Sequence, residues 1–432
     1  MYRKATMALA VAAALGLSRV ATAQTQDDVR ALREQVRQLD RRVTDAEQAV
    51  IQASSRPASE SAMNPAVSVI LNGIYSNLSQ DPNAFRINGF VPTLGEVGPG
   101  VRGLSLGESE LALAANIDHH FRGTLIASIS PENGIGVEEG YIQTLSLSYG
   151  FTVKAGRFFS GVGYQNQIHA HAWDFTDAPL ANKVFLGNQL NEDGVQLKWV
   201  APTPFYWDVG VEAGRGRQFP AGPAGGRNKN GVSSGNVFTH VGGDFGTGTA
   251  WQTGVSYLST SPQDRTFDDS AGTTNTFTGQ SRLWVLDGIL KWAPNFNPTY
   301  TNFKLQGEYF RRKEDGDLTS GTAAQTGGFV SVQSGWYLQG VYQFVPMWRV
   351  GYRYDRLNSG NTSFSAPLNA ADFPILAAYN PTRHTVMVDW SPSEFSRIRL
   401  QAASDKSRSD VTDNQIFLQY IVSLGAHGAH KF

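Results

Sequence analysis

In the stretch Met347-Trp-Arg-Val-Gly-Tyr-Arg-Tyr-Asp355, apolar residues alternate with mostly polar ones. Neighbouring side chains of an extended strand point to opposite faces, so the stretch would have one face of each kind. The apolar face carries Trp348, Val350, Tyr352 and Tyr354. The polar face carries Arg349, Gly351, Arg353 and Asp355. In a lipid-embedded barrel the apolar face points outward and the polar face lines a wet lumen, so the stretch predicts a strand of a transmembrane β-barrel.

The same alternation recurs from about residue 65 onward. It predicts strands near 66–76, 107–117, 121–130, 138–148, 151–159, 194–200, 205–214, 236–245, 249–259, 282–293, 301–312, 335–345, 347–357, 383–391, 396–405 and 414–424. Tight turns alternate with long polar connections near 77–106, 160–193, 215–235, 260–281, 313–334 and 358–382. This rhythm is typical of an antiparallel barrel with short periplasmic turns and long external loops. The predicted fold is therefore an all-β transmembrane antiparallel barrel of about 16 strands over 65–432.

The first 23 residues have the pattern of a secretory signal peptide. Arg3 and Lys4 precede an apolar run over 5–17, and the small residues 21–23 predict cleavage before Gln24. This run is too short to span a bilayer as a helix. The chain has no cysteine, so its fold does not depend on disulfides, and its formal charge of −1 gives no bias toward nucleic acid. We expect the mature chain in the outer membrane of a Gram-negative cell.

Residues 24–52 show a different period. The apolar residues recur at alternating spacings of three and four: Val29, Leu32, Val36, Leu39, Val43, Ala46 and Val50. This heptad seam predicts a short periplasmic α-helical coiled coil that registers an oligomer, and we expect a homotrimer. The alternative is a single amphipathic helix at the barrel mouth. Residues 53–64 are rich in serine and alanine and predict a flexible linker.

Several motifs resemble those of Gram-negative outer-membrane porins. They are Gly107-Glu-Ser-Glu-Leu-Ala-Leu-Ala-Ala-Asn-Ile-Asp118, Gly156-Arg-Phe-Phe159 followed by His169-Ala-His-Ala-Trp-Asp-Phe175, and the terminal stretch from Phe417 to Phe432. The chain resembles most the phosphate-selective porin O/P-like group, some relatives of which are labelled zinc-regulated TonB-dependent outer membrane receptors. The resemblance implies a porin barrel, with Phe432 as the signal that barrel-assembly machinery recognises. A dense lysine ladder is absent from the sequence, so phosphate selectivity is not carried over.

Charged residues of both signs fall on the lumen-facing parity. Basic residues concentrate on the C-terminal strands and several acids on earlier ones, which predicts opposed walls and a transverse field. The alternative is that these charges pair with neighbours and solvate the pore. The candidate pore-lining and constriction residues are Arg349, Arg353, Arg397, Arg399, Lys304, Glu108, Glu110, Asp208 and Asp174.

The long connection over 160–193 is the candidate constriction loop. In the porins that the chain resembles, the third external loop folds into the lumen. His169 and His171 would point the same way in an extended segment, and with a carboxylate such as Asp174 they would suit zinc. The alternative is a pair of hydrogen-bonded loop anchors.

The sequence favours a channel over two other classes of function. Polar lumen-facing residues on nearly every strand favour passive diffusion of small hydrophilic solutes or ions through a water-filled channel. A substrate-linked or zinc-linked uptake receptor is the alternative. An enzyme is not expected, since the sequence has no nucleophile elbow, HExxH motif or Cys–His pairing. The sequence implies no cofactor.

Overall fold

The computed structural model describes residues 65–93, 97–130, 134–222, 230–269, 272–294 and 297–425. One short α-helix, α1 (Leu180–Leu186), accompanies the strands. The strands are β1 (Ala66–Leu78), β2 (Gly103–Leu106), β3 (Ser109–Asn116), β4 (Phe121–Ile129), β5 (Ile135–Thr144), β6 (Phe151–Phe159), β7 (Asn191–Val200), β8 (Tyr206–Gly214), β9 (Ser234–Phe245), β10 (Thr249–Thr260), β11 (Arg265–Asp268), β12 (Thr274–Trp292), β13 (Asn302–Ser320), β14 (Gln325–Val345), β15 (Trp348–Phe364), β16 (Thr382–Ser393), β17 (Ser396–Lys406) and β18 (Asp413–Gly425).

These strands close into one antiparallel barrel. β1 pairs with β18 on one side and with β2 and β3 in succession on the other, and β12 pairs in succession with β11 and β10. β2 and β3 therefore share one position in the barrel wall, and β10 and β11 share another. The eighteen strands of the described residues thus fill sixteen positions. The predicted all-β barrel is confirmed. Among the described residues, no helix is long and apolar enough to cross a bilayer.

Several predicted features lie outside the described residues. They are the signal peptide over 1–23, the coiled coil over 24–52, the linker up to residue 64 and the terminal Phe432. Each of them stays a prediction from the sequence.

The two faces of β15 separate as the alternation predicts. Trp348 is 42% exposed and Tyr352 47% exposed on the outer surface, whereas Arg353 and Asp355 on the inner surface are 1% and 0% exposed. Large apolar side chains occupy the outer surface of other strands too, among them Leu286, Leu338, Leu400 and Leu418. An outer surface of this kind is typical of a barrel embedded in lipid.

The prediction of long loops over 260–281 and 313–334 is wrong in large part. β12, β13 and β14 continue through most of these residues, and β13 turns into β14 between Ser320 and Gln325. On β13 the outward positions Lys313, Asp315 and Asp317 are polar while Leu318 points inward and is buried. A strand that faces lipid would carry apolar residues on its outer face. Because these outer positions are charged, the expected alternation predicts a loop here. They are strand residues whose outer face suits water.

The barrel interior is also more apolar than the alternation predicts. Inward residues of β10 to β15 and residues of α1 form one buried cluster with Phe90 and Val162: Leu180, Val184, Phe185, Leu186, Leu258, Leu283, Val285, Phe310, Tyr337 and Leu357 are among its members. A second cluster joins Phe267, Phe277, Leu318 and Phe329 to Phe373 and Ile375 of the connection between β15 and β16. Connections on the long-loop side therefore pack inside the barrel on apolar wall residues.

Candidate functional site

The connection between β6 and β7, residues 160–190, lies inside the barrel, and we call it the lumen loop. Its two ends are held together because the Ser160 N–H donates to the Leu190 carbonyl at 3.0 Å. Between these ends the loop contacts wall strands from β3 to β17. A segment that reaches strands so far apart in the barrel order crosses the lumen.

Wall carboxylates accept hydrogen bonds from the backbone of the lumen loop. Glu212 of β8 accepts from the Gly161 N–H at 2.7 Å, and Glu308 of β13 accepts from the Gln165 N–H at 3.1 Å. Asp355 of β15 accepts from the Leu180 N–H at 2.9 Å. Buried backbone donors need such partners, and hydrogen bonds to a charged acceptor are among the stronger ones. The wall therefore provides docking points for the loop at three separate strands.

The loop passes close to the wall near Gly163. Gly163 has a φ of +67°, and a Cβ at this position would lie 2.6 Å from Glu308 Oε1. A larger residue would therefore meet both backbone strain and a wall carboxylate. α1 ends at Gly187, which also has a left-handed φ of 64°. Phe185 of α1 is fully buried and stacks on Phe310 of β13 with ring centroids 5.7 Å apart.

Asp174 of the lumen loop contacts the basic wall. It pairs with Lys304 of β13 and accepts from Arg349 Nη1 of β15 at 3.2 Å. Burial would raise the pKa of the Asp174 carboxyl, but the charges of Lys304 and Arg349 outweigh burial and hold this pKa below its usual range. Asp174, named above as an example of a carboxylate that could join the two histidines, therefore pairs with the basic side chains instead.

Asp177 is the second acidic anchor. It accepts from Lys183 Nζ of α1 at 3.1 Å and from Arg353 Nη2 at 3.1 Å, and it also pairs with Arg383 of β16. Burial would raise the pKa of the Asp177 carboxyl, but the charges of Arg383, Lys183 and Arg353 outweigh it and hold this pKa well below its usual range. The ion pairs connect the loop to two neighbouring wall strands.

The arginines that were expected to line the pore face the lumen loop more than water. Arg353 and Arg399 are each 1% exposed. Arg399 Nη2 donates to the Trp173 carbonyl at 2.7 Å, and Arg397 Nη1 donates to the same carbonyl at 3.4 Å. These arginines therefore hold the lumen loop. Sequence reasoning missed Arg383, although its place on the inward parity of β16 carries the same signal as Arg397 on β17.

His169 and His171 contact glutamates of β3 and β5, which form an acidic part of the wall. His169 Nδ1 is 3.4 Å from Glu110 Oε2 and 3.3 Å from Glu138 Oε2, and its Nε2 is 3.1 Å from Glu139 Oε2. His171 Nδ1 is 2.7 Å from the other Glu110 oxygen. We call these five residues the His–Glu cluster. Burial would lower the pKa of His169, but hydrogen bonds to Glu138 and Glu139 and the charge of Glu110 outweigh it and hold this pKa well above its usual range.

A β-bulge brings two adjacent glutamates to one histidine. On β5, Glu139 pairs with Ile126 and Val137 pairs with the next residue, Ala127, so Glu138 is the extra residue of the bulge. A bulge interrupts the strict alternation of side chains and can re-aim one of them. Both Glu138 and Glu139 therefore contact His169, which regular alternation would not allow. The sequence pattern gave no signal for Glu138 or Glu139 as members of the site.

The remaining predicted residues lie apart from the lumen loop or beside the His–Glu cluster. Asp208 of β8 pairs with Lys198 at 2.7 Å and with His240 Nδ1 at 2.8 Å. Glu108, between β2 and β3, hydrogen-bonds to Glu138. The structure thus brings Glu108 and Glu110 together with the histidines, whereas Asp208 belongs to a separate buried group.

Two cavities lie at opposite ends of the lumen loop. One of about 460 Å³ is on the long-loop side, and its lining includes Phe85, Ile87 and Val184 of α1. The other, of about 290 Å³, is on the short-turn side, and its lining includes His171, Arg349 and Arg397. Each cavity is bordered by a part of the lumen loop.

The sequence has one clear relative among the proteins compared. An uncharacterized protein of Aquifex aeolicus (strain VF5) is 33% identical over 344 residues, which cover 77% of this chain and 70% of that protein. No family model matches the chain.

Solved outer-membrane proteins share the fold. A loop L8 deletion mutant of OmpT, an outer membrane protein of Vibrio cholerae, superposes with a TM-score of 0.53 at 10% identity, covering 84% of this chain and 99% of that one. In-vitro folded OmpT in its trimer form gives a TM-score of 0.50, also at 10% identity, over 84% of this chain and 99% of that one. At this identity the likeness concerns the barrel fold.

Proposed function

This chain belongs to the protein family that includes the Aquifex aeolicus relative, and we propose that it forms a channel for small hydrophilic solutes or ions in the outer membrane of a Gram-negative cell. Its apolar outer surface supports a place in the bilayer. The terminal Phe432 would serve as the assembly signal for the barrel-assembly machinery, as in the porins that the chain resembles.

One observation carries the proposal. The lumen loop crosses the barrel between glutamates of β3 and β5 and arginines of β15 and β16, and a cavity lies on each side of it. Charged walls in a confined space keep water and small polar solutes and exclude apolar ones. The loop would form the narrowest part of the path between the two cavities. Passive diffusion needs no further machinery, and we propose no enzymatic role.

The test is single-channel recording in planar bilayers. Purified, folded chain should insert and give discrete steps of current, because a wet lumen conducts ions. Folded protein that inserts without any current would contradict the proposal.

Ion selectivity should depend on Arg397, which lines the cavity on the short-turn side. Arg397→Gln should shift the reversal potential under a salt gradient toward cation permeability, because it removes a positive charge from a confined part of the path. Arg102→Gln, in the connection before β2, is the matched control and should shift it much less, because bulk salt screens an exposed charge. Equal shifts from the two variants would place the constriction elsewhere.

We also propose a homotrimer. The heptad seam over 24–52 supports it, as does the trimer form of the OmpT structure with the same barrel fold. Trimers in which each barrel keeps its own path are compatible with the channel proposed here.

A further inference from the structure

We propose that the His–Glu cluster is a binding site for a divalent transition metal ion of the Zn²⁺ class, which joins the lumen loop to the barrel wall. Three groups would supply the ligands: His169 through Nδ1, Glu110 through Oε2 and Glu138 through Oε2. The site is independent of whether the barrel conducts. Its effect on current, described last, rests on the proposed channel.

The spacing of the donor atoms fits a metal ion. One ligand atom from each of the three groups lies within 4.8 Å of the others. His169 Nδ1 lies 3.4 Å from Glu110 Oε2 and 3.3 Å from Glu138 Oε2. Donors about 2.0 to 2.1 Å from a tetrahedral zinc ion lie about 3.3 to 3.4 Å from one another. These two separations therefore match two edges of a zinc coordination tetrahedron, whose fourth position would be taken by water.

The contacts of His169 suit a metal ligand whose second nitrogen keeps a hydrogen-bond partner. A bound ion would replace the proton on Nδ1 and lie between this atom and the oxygens of Glu110 and Glu138. Nε2 lies 3.1 Å from Glu139 and would donate a hydrogen bond to it. An imidazole that donates through one nitrogen to a carboxylate and binds metal through the other is the usual arrangement at zinc sites.

Further partners orient the second oxygens of the ligand Glu110 and of Glu139, which holds His169. Glu110 Oε1 lies 2.7 Å from His171 Nδ1, and Glu139 Oε1 accepts the Phe159 N–H at 3.0 Å. Such outer contacts fix the ligands before a metal arrives.

Charge also favours a cation at this place. Four carboxyl groups meet here, Glu108, Glu110, Glu138 and Glu139, and Glu110 is only 3% exposed. The positive charges of His169, His171 and Lys154 act on Glu138 or Glu139. A divalent ion would offset the excess of buried negative charge. The nitrogen donor selects transition metals over Ca²⁺ and Mg²⁺, which prefer oxygen ligands.

The ligands come from elements that are far apart in the chain. Glu110 is on β3, Glu138 is in the bulge of β5, and His169 is in the lumen loop. A bound ion would therefore clamp the loop at His169 to β3 and β5, in addition to the anchors at Asp174 and Asp177.

The experiment measures zinc binding by isothermal titration calorimetry on the full folded chain in detergent. We expect about one equivalent of Zn²⁺ per chain. Glu138→Gln keeps the shape of the side chain but removes the charged ligand, and His169→Ala removes the imidazole; each should weaken zinc binding by at least about 100-fold. Glu139→Gln, which perturbs only the outer hydrogen bond, should weaken it by about 10-fold.

The matched control is His119→Ala with His120→Ala, in the exposed turn between β3 and β4. This variant should bind zinc as the parent does. Absence of zinc binding by the parent, unchanged binding after Glu138→Gln, or loss of binding in the control would each overturn the proposal. Should His169→Ala fail to fold, as judged by heat-dependent mobility on gels, Glu138→Gln and Glu139→Gln still decide the question.

The recording of current separates this proposal from the channel proposal. Zinc should change the current through the parent and leave the current through Glu138→Gln unchanged, because the clamp then lacks a ligand. Zinc binding in a barrel without current would contradict the channel alone. Current in a barrel that binds no zinc would contradict the metal site alone.

Discussion

Asp177 connects the lumen loop to the wall and has four side-chain partners. Lys183, Arg353 and Arg383 all pair with this carboxylate, and Gln401 Nε2 donates to it at 3.1 Å. The three cations are buried and need this half-buried carboxylate as a counter-charge. Removal of one partner from a buried ion pair is strongly destabilising because it leaves an uncompensated charge.

We predict that Asp177→Asn releases α1 from the wall, at a cost to loop docking of about 3 kcal/mol. Lys183 is the only lysine or arginine within 160–193, and it is 3% exposed in the docked loop. Limited trypsin digestion should therefore cleave the peptide bond after Lys183 in the variant and leave it intact in the parent. Asp315→Asn is the control, because its pair with Arg282 is exposed and worth at most about 1 kcal/mol. Equal cutting in both variants would contradict the assignment.

The same carboxylate predicts the response to acid. Because the pKa of Asp177 is lower in the folded state, its stabilisation is complete above the unfolded pKa of about 3.9 and is lost as the pH falls through the folded value. The part of the conductance that depends on Asp177, measured as the difference between the parent and Asp177→Asn at each pH, should thus stay constant from neutral pH down to about pH 4 and disappear only in stronger acid. Asp177→Asn should show the altered conductance already at pH 7.

The histidines show how far single residues can be predicted from sequence. His169 and His171 stand out as two imidazoles two positions apart, and their rings do lie close, with centroids 5.8 Å apart. Their partners could not be predicted, because Glu138 reaches His169 only through a bulge that breaks the alternation. Asp174 was the wrong carboxylate because nearness in the chain does not outweigh the stronger attraction of Lys304 and Arg349.

At the scale of elements, the period of two residues predicts where strands lie but not where they end. β12, β13 and β14 have 19, 19 and 21 residues, well beyond the 9 to 11 or so that span a bilayer at a tilt. Their outer segments reverse the pattern, with charges outward and apolar residues inward. The reversal follows from what each face meets, since water surrounds these segments and other connections pack within them.

The lumen loop is the element that should set conductance. We predict that replacing residues 162–188 by a short Gly-Ser linker raises single-channel conductance severalfold, because the segment that crosses the lumen is then gone. The linker can be short, since the Ser160 N–H and the Leu190 carbonyl already lie 3.0 Å apart. The measurement is the amplitude of current steps in planar bilayers.

Heat-dependent mobility on gels provides the control for the loop excision, since the wall strands pair without the loop and the barrel should still fold. A folded, excised barrel with unchanged conductance would show that the narrowest point is formed by the wall or by other connections. The apolar wall residues that α1 covers, such as Phe310, would then be the next to test.

At the scale of the whole molecule, the closed barrel follows from the sequence because an outer face in lipid and an inner face in water impose opposite demands on alternate residues. The packing of connections on apolar residues inside the barrel could not be predicted in the same way. Leu283 and Val285 point inward and pack with α1 and Leu357 of β15, a contact between elements far apart in the chain. Apolar residues on the inward parity therefore mark where connections return into the barrel.

The heptads over 24–52 are the sequence feature that predicts assembly of several barrels. We predict that Leu32→Asp with Leu39→Asp lowers the trimer fraction, because a charge at a seam position would be buried against a partner helix. Gln38→Asp with Gln48→Asp, at positions off the seam, is the matched control and should assemble like the parent. Cross-linking and sedimentation in detergent measure the trimer fraction, and heat-dependent mobility verifies that each barrel is folded. An unchanged trimer fraction in the seam variant, with folded barrels, would mean that the barrels associate through their outer walls.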